Sequence, residues 1–243
     1  MYEEIKKKMV CLANMKNLDR PVKIQIRRLE IVDFVSTMLR LDGSVLTRKE
    51  VEAIIDGEKV PRSTINEHMM VERLIDALNT MDDFLEMKDE LSVKVIEDLH
   101  DIITGGEEGS WRHSNVPAYT FDYMPPDFSE IKDRMKKLYI ELYSEEGKKY
   151  DPILKAALMH CNLISIYPFR HSTETTARAA MYYYLKTQGI PVFDLRVTEQ
   201  EYNTAVMDFL KKGDIRGFYN MLVRNVYNKL EVLSQLINSE MDG

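Results

Sequence analysis

The sequence predicts an all-α protein, a helical bundle around a buried central helix with one small β-hairpin flap. Three observations predict it. Apolar residues recur at helical spacing along most of the 243-residue chain. Glycine and proline are scarce, 10 and 8, and gather at a few breaks between the periodic stretches. The segment 152–166 is apolar on nearly every side, the pattern of a helix enclosed by others.

The elements follow in order. Residues 22–41 carry Val22, Ile26, Leu29, Val32 and Val35 with charges between them, and Asp42-Gly43-Ser44 stops that helix. Thr47 opens a short helix, with Glu50 three residues on in a capping-box pattern. A long helix at 64–88 places Leu74, Leu78, Met81 and Leu85 on one stripe, and Ser92 caps the next, with Val95, Ile96 and Leu99. Residues 104–126 break the pattern: they hold Gly105, Gly106, Gly109, Pro117, Pro125 and Pro126, and are read as a loop with the hairpin near Val116 to Phe121. Helices return at 127–143, 152–166 and 173–187, the last stopped by Gly189 with Pro191 behind it. Two more cover 198–211 and 214–239, the final one aligning Leu222, Val226, Leu230, Leu233 and Leu236.

Composition narrows the function classes. A net charge of -7 argues against general nucleic-acid or anionic-membrane binding, which need clustered Lys and Arg. No apolar run approaches the roughly 20 residues that span a bilayer. Cys11 and Cys161 are the only cysteines, so no disulfide framework is expected and a cytoplasmic location fits.

The stretch Tyr167-Pro-Phe-Arg-His-Ser-Thr-Glu-Thr-Thr-Ala-Arg178 resembles the signature loop of the Fic family, His-Pro-Phe-x-Asp/Glu-Gly-Asn-Gly-Arg-x-x-Arg, with most reactive groups replaced. Other pieces match in order: Leu99-His100 with Gly109, Arg112 and Val116; Tyr123-Met-Pro-Pro126; and Ala157-Leu-Met-His160 before Ile166. The resemblance covers about 93–225 and implies a Fic-like core at 93–243 with an N-terminal helical segment, 1–92, packed on it. Leu41-Asp42-Gly43 resembles, more weakly, the regulatory helix of some members, whose glutamate blocks ATP. Asp42, within 36–47, then takes the glutamate's place, unless it is simply a helix stop.

Members of that family transfer AMP from ATP to a protein hydroxyl, and the resemblance assigns each job to a position. Tyr167 stands in the place of the general base, yet a free phenol has a pKa near 10 and is a poor proton acceptor at neutral pH. Its alternative role is a core aromatic with a bonded hydroxyl. His171 replaces the metal-binding carboxylate, so a magnesium site loses its oxygen ligand and no metal is expected. Ser172, Thr173 and Glu174 replace the glycine-rich phosphate cradle, and Thr175 replaces the first arginine. A carboxylate about 4 Å from a phosphate charge repels it by roughly 4 kcal/mol at an effective dielectric near 20. Ser172 or Thr173 can instead cap the helix, with Glu174 satisfying its free N–H groups. Arg178 keeps the second arginine and can pair with Glu174 or with Asp42. Val116, Tyr119 and Phe121 of the flap are candidates for binding an extended target segment, or for core packing.

These readings imply a Fic-like protein without adenylyl transfer, acting as a binding or regulatory module with no cofactor. The alternative is an active adenylyltransferase, or other nucleotidyl or phosphoryl transferase, with a rearranged site that takes Mg-ATP. His171 and Arg178 would then carry the chemistry. No nucleic acid or membrane partner is expected, and a protein partner at the flap and a homodimer are both left open.

Overall fold

Capping chemistry sets the helix boundaries in the computed structural model, which describes residues 2–14, 18–106 and 111–241. Gly109, quoted above, lies outside the described residues. The chain opens with α1 (Tyr2–Asn14) and α2 (Arg20–Leu41), where Pro21 sits in the first turn and its missing N–H removes no helical bond. Then come α3 (Arg48–Ile55), α4 (Ile65–Glu86) and α5 (Val93–Thr104). Complete capping boxes start α3 at Thr47 and Glu50 and α4 at Thr64 and Glu67. Ser92 caps α5, and Gly105 ends it in the left-handed region at φ 74°.

After the loop come α6 (Ile131–Tyr143), α7 (Pro152–Ile166) and α8 (Thr173–Thr187). Asp151 starts α7 by accepting from the N–H groups of Ile153 and Leu154, with Pro152 at the first helical position. The chain closes with α9 (Glu199–Lys212), boxed by Thr198 and Glu201, and α10 (Arg216–Met241).

Helix α7 is buried, as its composition predicts, but α8 is enclosed along more of its length. Thr173, Thr175 and every residue from Thr176 to Leu185 are buried. The sequence disguises this because α8 is rich in Thr and Tyr. Its polar tips are matched instead: the Tyr182 hydroxyl donates to the Phe193 carbonyl at 2.8 Å, and Tyr183 donates to that of Asp89. The α7–α8 pair, the most extensively packed of the helix pairs, forms the centre of the bundle. Phe34 and Met38 of α2, Leu74 and Leu78 of α4 and Leu99 of α5 pack into one core with it, so the 1–92 stretch shares its interior with the rest.

Charged groups also cross that seam. Asp33 on α2, only 3% exposed, accepts from Lys229 of α10 at 2.8 Å and from Arg48 of α3 at 2.6 Å. Arg40 and Arg48 reach Asp194 at 3.3 and 3.4 Å, tying the 190–197 segment to the same helices.

The expected β-hairpin is absent among the described residues. The segment makes a single antiparallel bridge, Ala118 with Tyr123, around a 3-10 turn at Tyr119–Phe121. Pro117 precedes the bridge, and Pro125 and Pro126 follow it closely, so N–H donors for a longer ladder are missing. Asp122 takes a left-handed φ of 45° to close the turn. The flap is therefore a short pinched loop.

Removing the Asp33 carboxylate strands a buried ammonium. Asp33→Ala should cost about 3–5 kcal/mol in urea denaturation. Asp98→Ala, which breaks the exposed Lys94–Asp98 pair, should cost at most about 0.5 kcal/mol.

Candidate functional site

Helix α7 ends at Tyr167, whose left-handed backbone (φ 50°, ψ 62°) turns the chain sharply away from the helix axis. A second left-handed residue, Ser172 at φ 55°, turns it back into α8. Two such non-glycine residues cost about 1–2 kcal/mol each, so surrounding contacts must hold the loop. Phe169 lies flat on His100 of α5, with ring centres 3.8 Å apart. The Thr173 hydroxyl donates to the Phe169 carbonyl at 3.0 Å and accepts from its N–H at 3.2 Å. Arg112, 4% exposed, donates mostly to main-chain oxygens, Tyr167 at 2.7 Å, Pro126 at 2.6 Å and Ser114 at 3.0 Å, and to Oδ1 of Asn115 at 3.2 Å. Its own N–H donates to the Pro168 carbonyl at 2.8 Å.

The loop forms one wall of a cleft of about 700 Å³. The end of α2, Leu41 to Gly43, makes a second wall, the flap from Val116 to Phe121 a third, and Glu199, Tyr202 and Asn203 of α9 the last. The residues singled out from sequence meet here: Tyr167, His171, Ser172, Glu174, Thr175, Arg178, Asp42, Val116, Tyr119 and Phe121 all line it. Thr173 does not, since its hydroxyl is committed to Phe169. Within the flap, Tyr119 is 86% exposed while Phe121 is fully buried.

Arg178 is buried and pairs with Asp42 rather than with Glu174. The other Asp42 oxygen accepts from Thr175 at 2.7 Å. Arg178 also donates to the Tyr202 hydroxyl at 3.4 Å, and that hydroxyl lies 2.8 Å from Nε2 of His160. A polar chain thus runs from the cleft to the interior of α7: Asp42, Arg178, Tyr202, His160. Burial opposes the arginine charge, but the Asp42 carboxylate and the Tyr202 oxygen outweigh it and keep Arg178 ionised. Burial, and then the Arg178 charge, hold His160 neutral, well below its usual range.

Glu174 does not cap its own helix. Its carboxylate accepts from the Tyr167 hydroxyl, at 3.1 Å to Oε1 and 3.3 Å to Oε2. Ser172 makes no side-chain cap bond either. Its left-handed backbone is not the extended form in which an N-cap oxygen reaches the second or third amide. Burial, the Glu174 charge and that hydrogen bond all push the Tyr167 phenol above its ordinary range. The Tyr167 hydroxyl is a fixed proton donor to Glu174.

Three contributors escape sequence reasoning. Tyr202 and Glu199 lie on α9, and only the fold carries them to the cleft. Arg170 is exposed in the loop and lines the same space. The Arg112 clamp had one faint signal: it is the lone Arg or Lys in the sequence 104–126. Among the described residues, no group of three or more His, Cys, Asp or Glu could hold a metal, and no helix is long and apolar enough to cross a membrane.

Burial lowers the pKa of His100 to about 4, and the nearby His171 charge adds to the shift against Asp101. The unfolded chain binds that proton near pH 6.5. Stability is therefore intact above about pH 6.5 and falls as pH drops from there towards 4, where the unfolded state holds more protons. Urea midpoints measured at pH 7.5 and pH 5 should fall less in His100→Gln than in the wild type.

Residues 90–185 match the model of the Fic/DOC family. Two curated relatives are called protein adenylyltransferase fic-1, from Caenorhabditis elegans and Caenorhabditis briggsae. They are 26% and 25% identical over 199 residues, 79% of this chain and 39% of each relative. The chain thus spans about two fifths of their length. A solved structure of C. elegans Fic-1 superposes with a TM-score of 0.80 at 22% identity, covering 98% of this chain and 74% of that one. A Fic domain containing signaling protein from Bacteroides thetaiotaomicron also gives 0.80, at 17% identity, covering 98% and 96%. Those two superpositions speak for the fold, and the matched segment holds both the signature-like loop and its clamp. Residues 90–185 are the part of the chain that matches the Fic/DOC family, and the chain shares the fold of those solved Fic structures.

Proposed function

We propose that this chain is a Fic protein that does not transfer AMP and instead uses its cleft as a binding or regulatory module. The observation that carries the reading is the Tyr167–Glu174 contact. A transfer reaction needs an acceptor for the target hydroxyl's proton. Here that place holds a phenol with raised pKa already donating to a carboxylate. The carboxylate itself sits on the first turn of α8, where the helix N-terminus would otherwise favour phosphate.

The Asp42–Arg178 pair adds a second obstacle. Arg178 is the arginine that the signature retains, and its charge is taken up within the chain. Displacing Asp42 would free one cation for phosphate but would supply neither a base nor the glycine cradle. The Gly-Asn-Gly of the signature is Ser172, Thr173 and Glu174, so side chains fill the approach that bare backbone would leave open.

The alternative, an adenylyltransferase with a rearranged site, draws on the names of the two nematode relatives and on the geometry at Gly43. That glycine, directly after Asp42, sits at φ 85°, and the alternative requires the end of α2 to move there and release Arg178. His171, exposed at the cleft, would then have to serve as base.

Incubation with ATP labelled at the α-phosphate, magnesium or manganese and candidate target proteins separates the two. Neither the wild type nor Asp42→Ala should place label on any protein. Transfer by either would overturn the proposal. Binding should be equally weak: with a Kd above about 10 mM, 1 mM ATP stabilises the fold by under about 0.1 kcal/mol, an undetectable thermal shift.

A further inference from the structure

The groups that repel phosphate define what the cleft can attract. Asp42 and Arg178 cancel one another. The remaining charged lining is Glu174 and Glu199 against Arg170, with His171 exposed beside them. Glu174 is anchored by a neutral hydroxyl and has no cationic partner among the described residues, so its charge is oriented but uncompensated. The walls are aromatic and soft: Tyr167, Tyr202, the exposed ring of Tyr119 and Met70. A volume of about 700 Å³ is far more than one ammonium group occupies and falls within the range of sites for chain-bearing small molecules.

We propose that this cleft binds a cationic alkyl group, an ammonium or guanidinium on an aliphatic stem. The charge meets Glu174, with Glu199 completing the acidic side. The stem lies against Met70 and the tyrosines. Tyr119 at the mouth offers its ring face to the incoming cation. Tyr167 remains protonated and keeps the Glu174 carboxylate turned towards the cleft. The proposal rests on the reading that the cleft no longer serves ATP, and it names the ligand chemistry of the same site. Two sources can present such a group: a free polyamine, or a lysine or arginine side chain of a partner protein lying beside the flap.

The test is a titration of the whole chain, followed by NMR or calorimetry at low and at physiological salt. One arm uses agmatine. The other uses the capped peptide Ac-Ala-Lys-Ala-NH2, with Ac-Ala-norleucine-Ala-NH2 as its uncharged control. Saturable binding is expected for at least one cationic probe, weakened by salt, with the uncharged control at least about tenfold weaker. Glu174→Gln, which keeps an acceptor for Tyr167, should weaken cation binding by about tenfold. Glu199→Gln serves as the second variant should the first fail to fold, and loss of affinity in either folded variant supports the site. Tighter binding of the peptide than of agmatine assigns the side-chain source, and the reverse order assigns the free amine.

No binding of either cation at about 10 mM, equal binding of the uncharged peptide, or unchanged affinity in both variants would overturn the inference. The labelled-ATP assay on the same sample keeps the two readings apart. Transfer of AMP overturns the proposed function, whereas absent cation binding with absent transfer overturns this inference alone.

Discussion

A buried arginine governs the architecture around the cleft. Arg178 lies in the α7–α8 pair, 1% exposed, where an unpaired cation would be costly. Its partner must come from outside that pair, and it comes from Asp42 at the C-terminal end of α2. This requirement brings an N-terminal helix to the edge of the cleft. It also recruits Thr175 and Tyr202, because the carboxylate and the guanidinium each have bonding positions left over. Removing the Asp42 carboxylate would leave the Arg178 charge stranded in the interior.

The same helix, α2, is fastened twice. Asp42 anchors its end to the cleft, while Asp33, nine residues earlier, joins Lys229 and Arg48 at the other side of the bundle. Between the two, Phe34, Val35 and Met38 pack into the core. The cleft wall is thereby fastened to the bundle up to Leu41, and the left-handed Gly43 then turns the chain out of α2.

How much of this was legible in the sequence depends on the range of the interaction. Helices were legible because their causes are local: Thr47 with Glu50, Ser92 ahead of Val95, and an apolar stripe such as Leu74, Leu78 and Met81. The segments forming the cleft could be named because a short run, 167–178, carries the resemblance. Pairing was legible only as a choice. Glu174, four residues from Arg178, and Asp42 were both candidate partners; Arg178 reaches back 136 residues to Asp42, while Glu174 bonds Tyr167. The hairpin misled for a related reason. Val116, Tyr119 and Phe121 have strand-forming side chains, but the ladder is decided by N–H groups, and the flanking prolines withhold them. Helix α8 hid its burial behind hydroxyls whose partners, Phe193 and Asp89, lie on other segments.

The Arg112 clamp has a bearing on how such a loop can diverge. Its guanidinium holds the carbonyls of Tyr167, Ser114 and Pro126, oxygens that every residue type possesses. A fastening that grips the 167–178 loop only through main-chain oxygens is indifferent to what projects from that loop. Substitutions along 167–178 can therefore accumulate while the path of the loop endures. Ancestral geometry then outlives ancestral chemistry, and a familiar contour around a cleft is poor testimony to what passes through it.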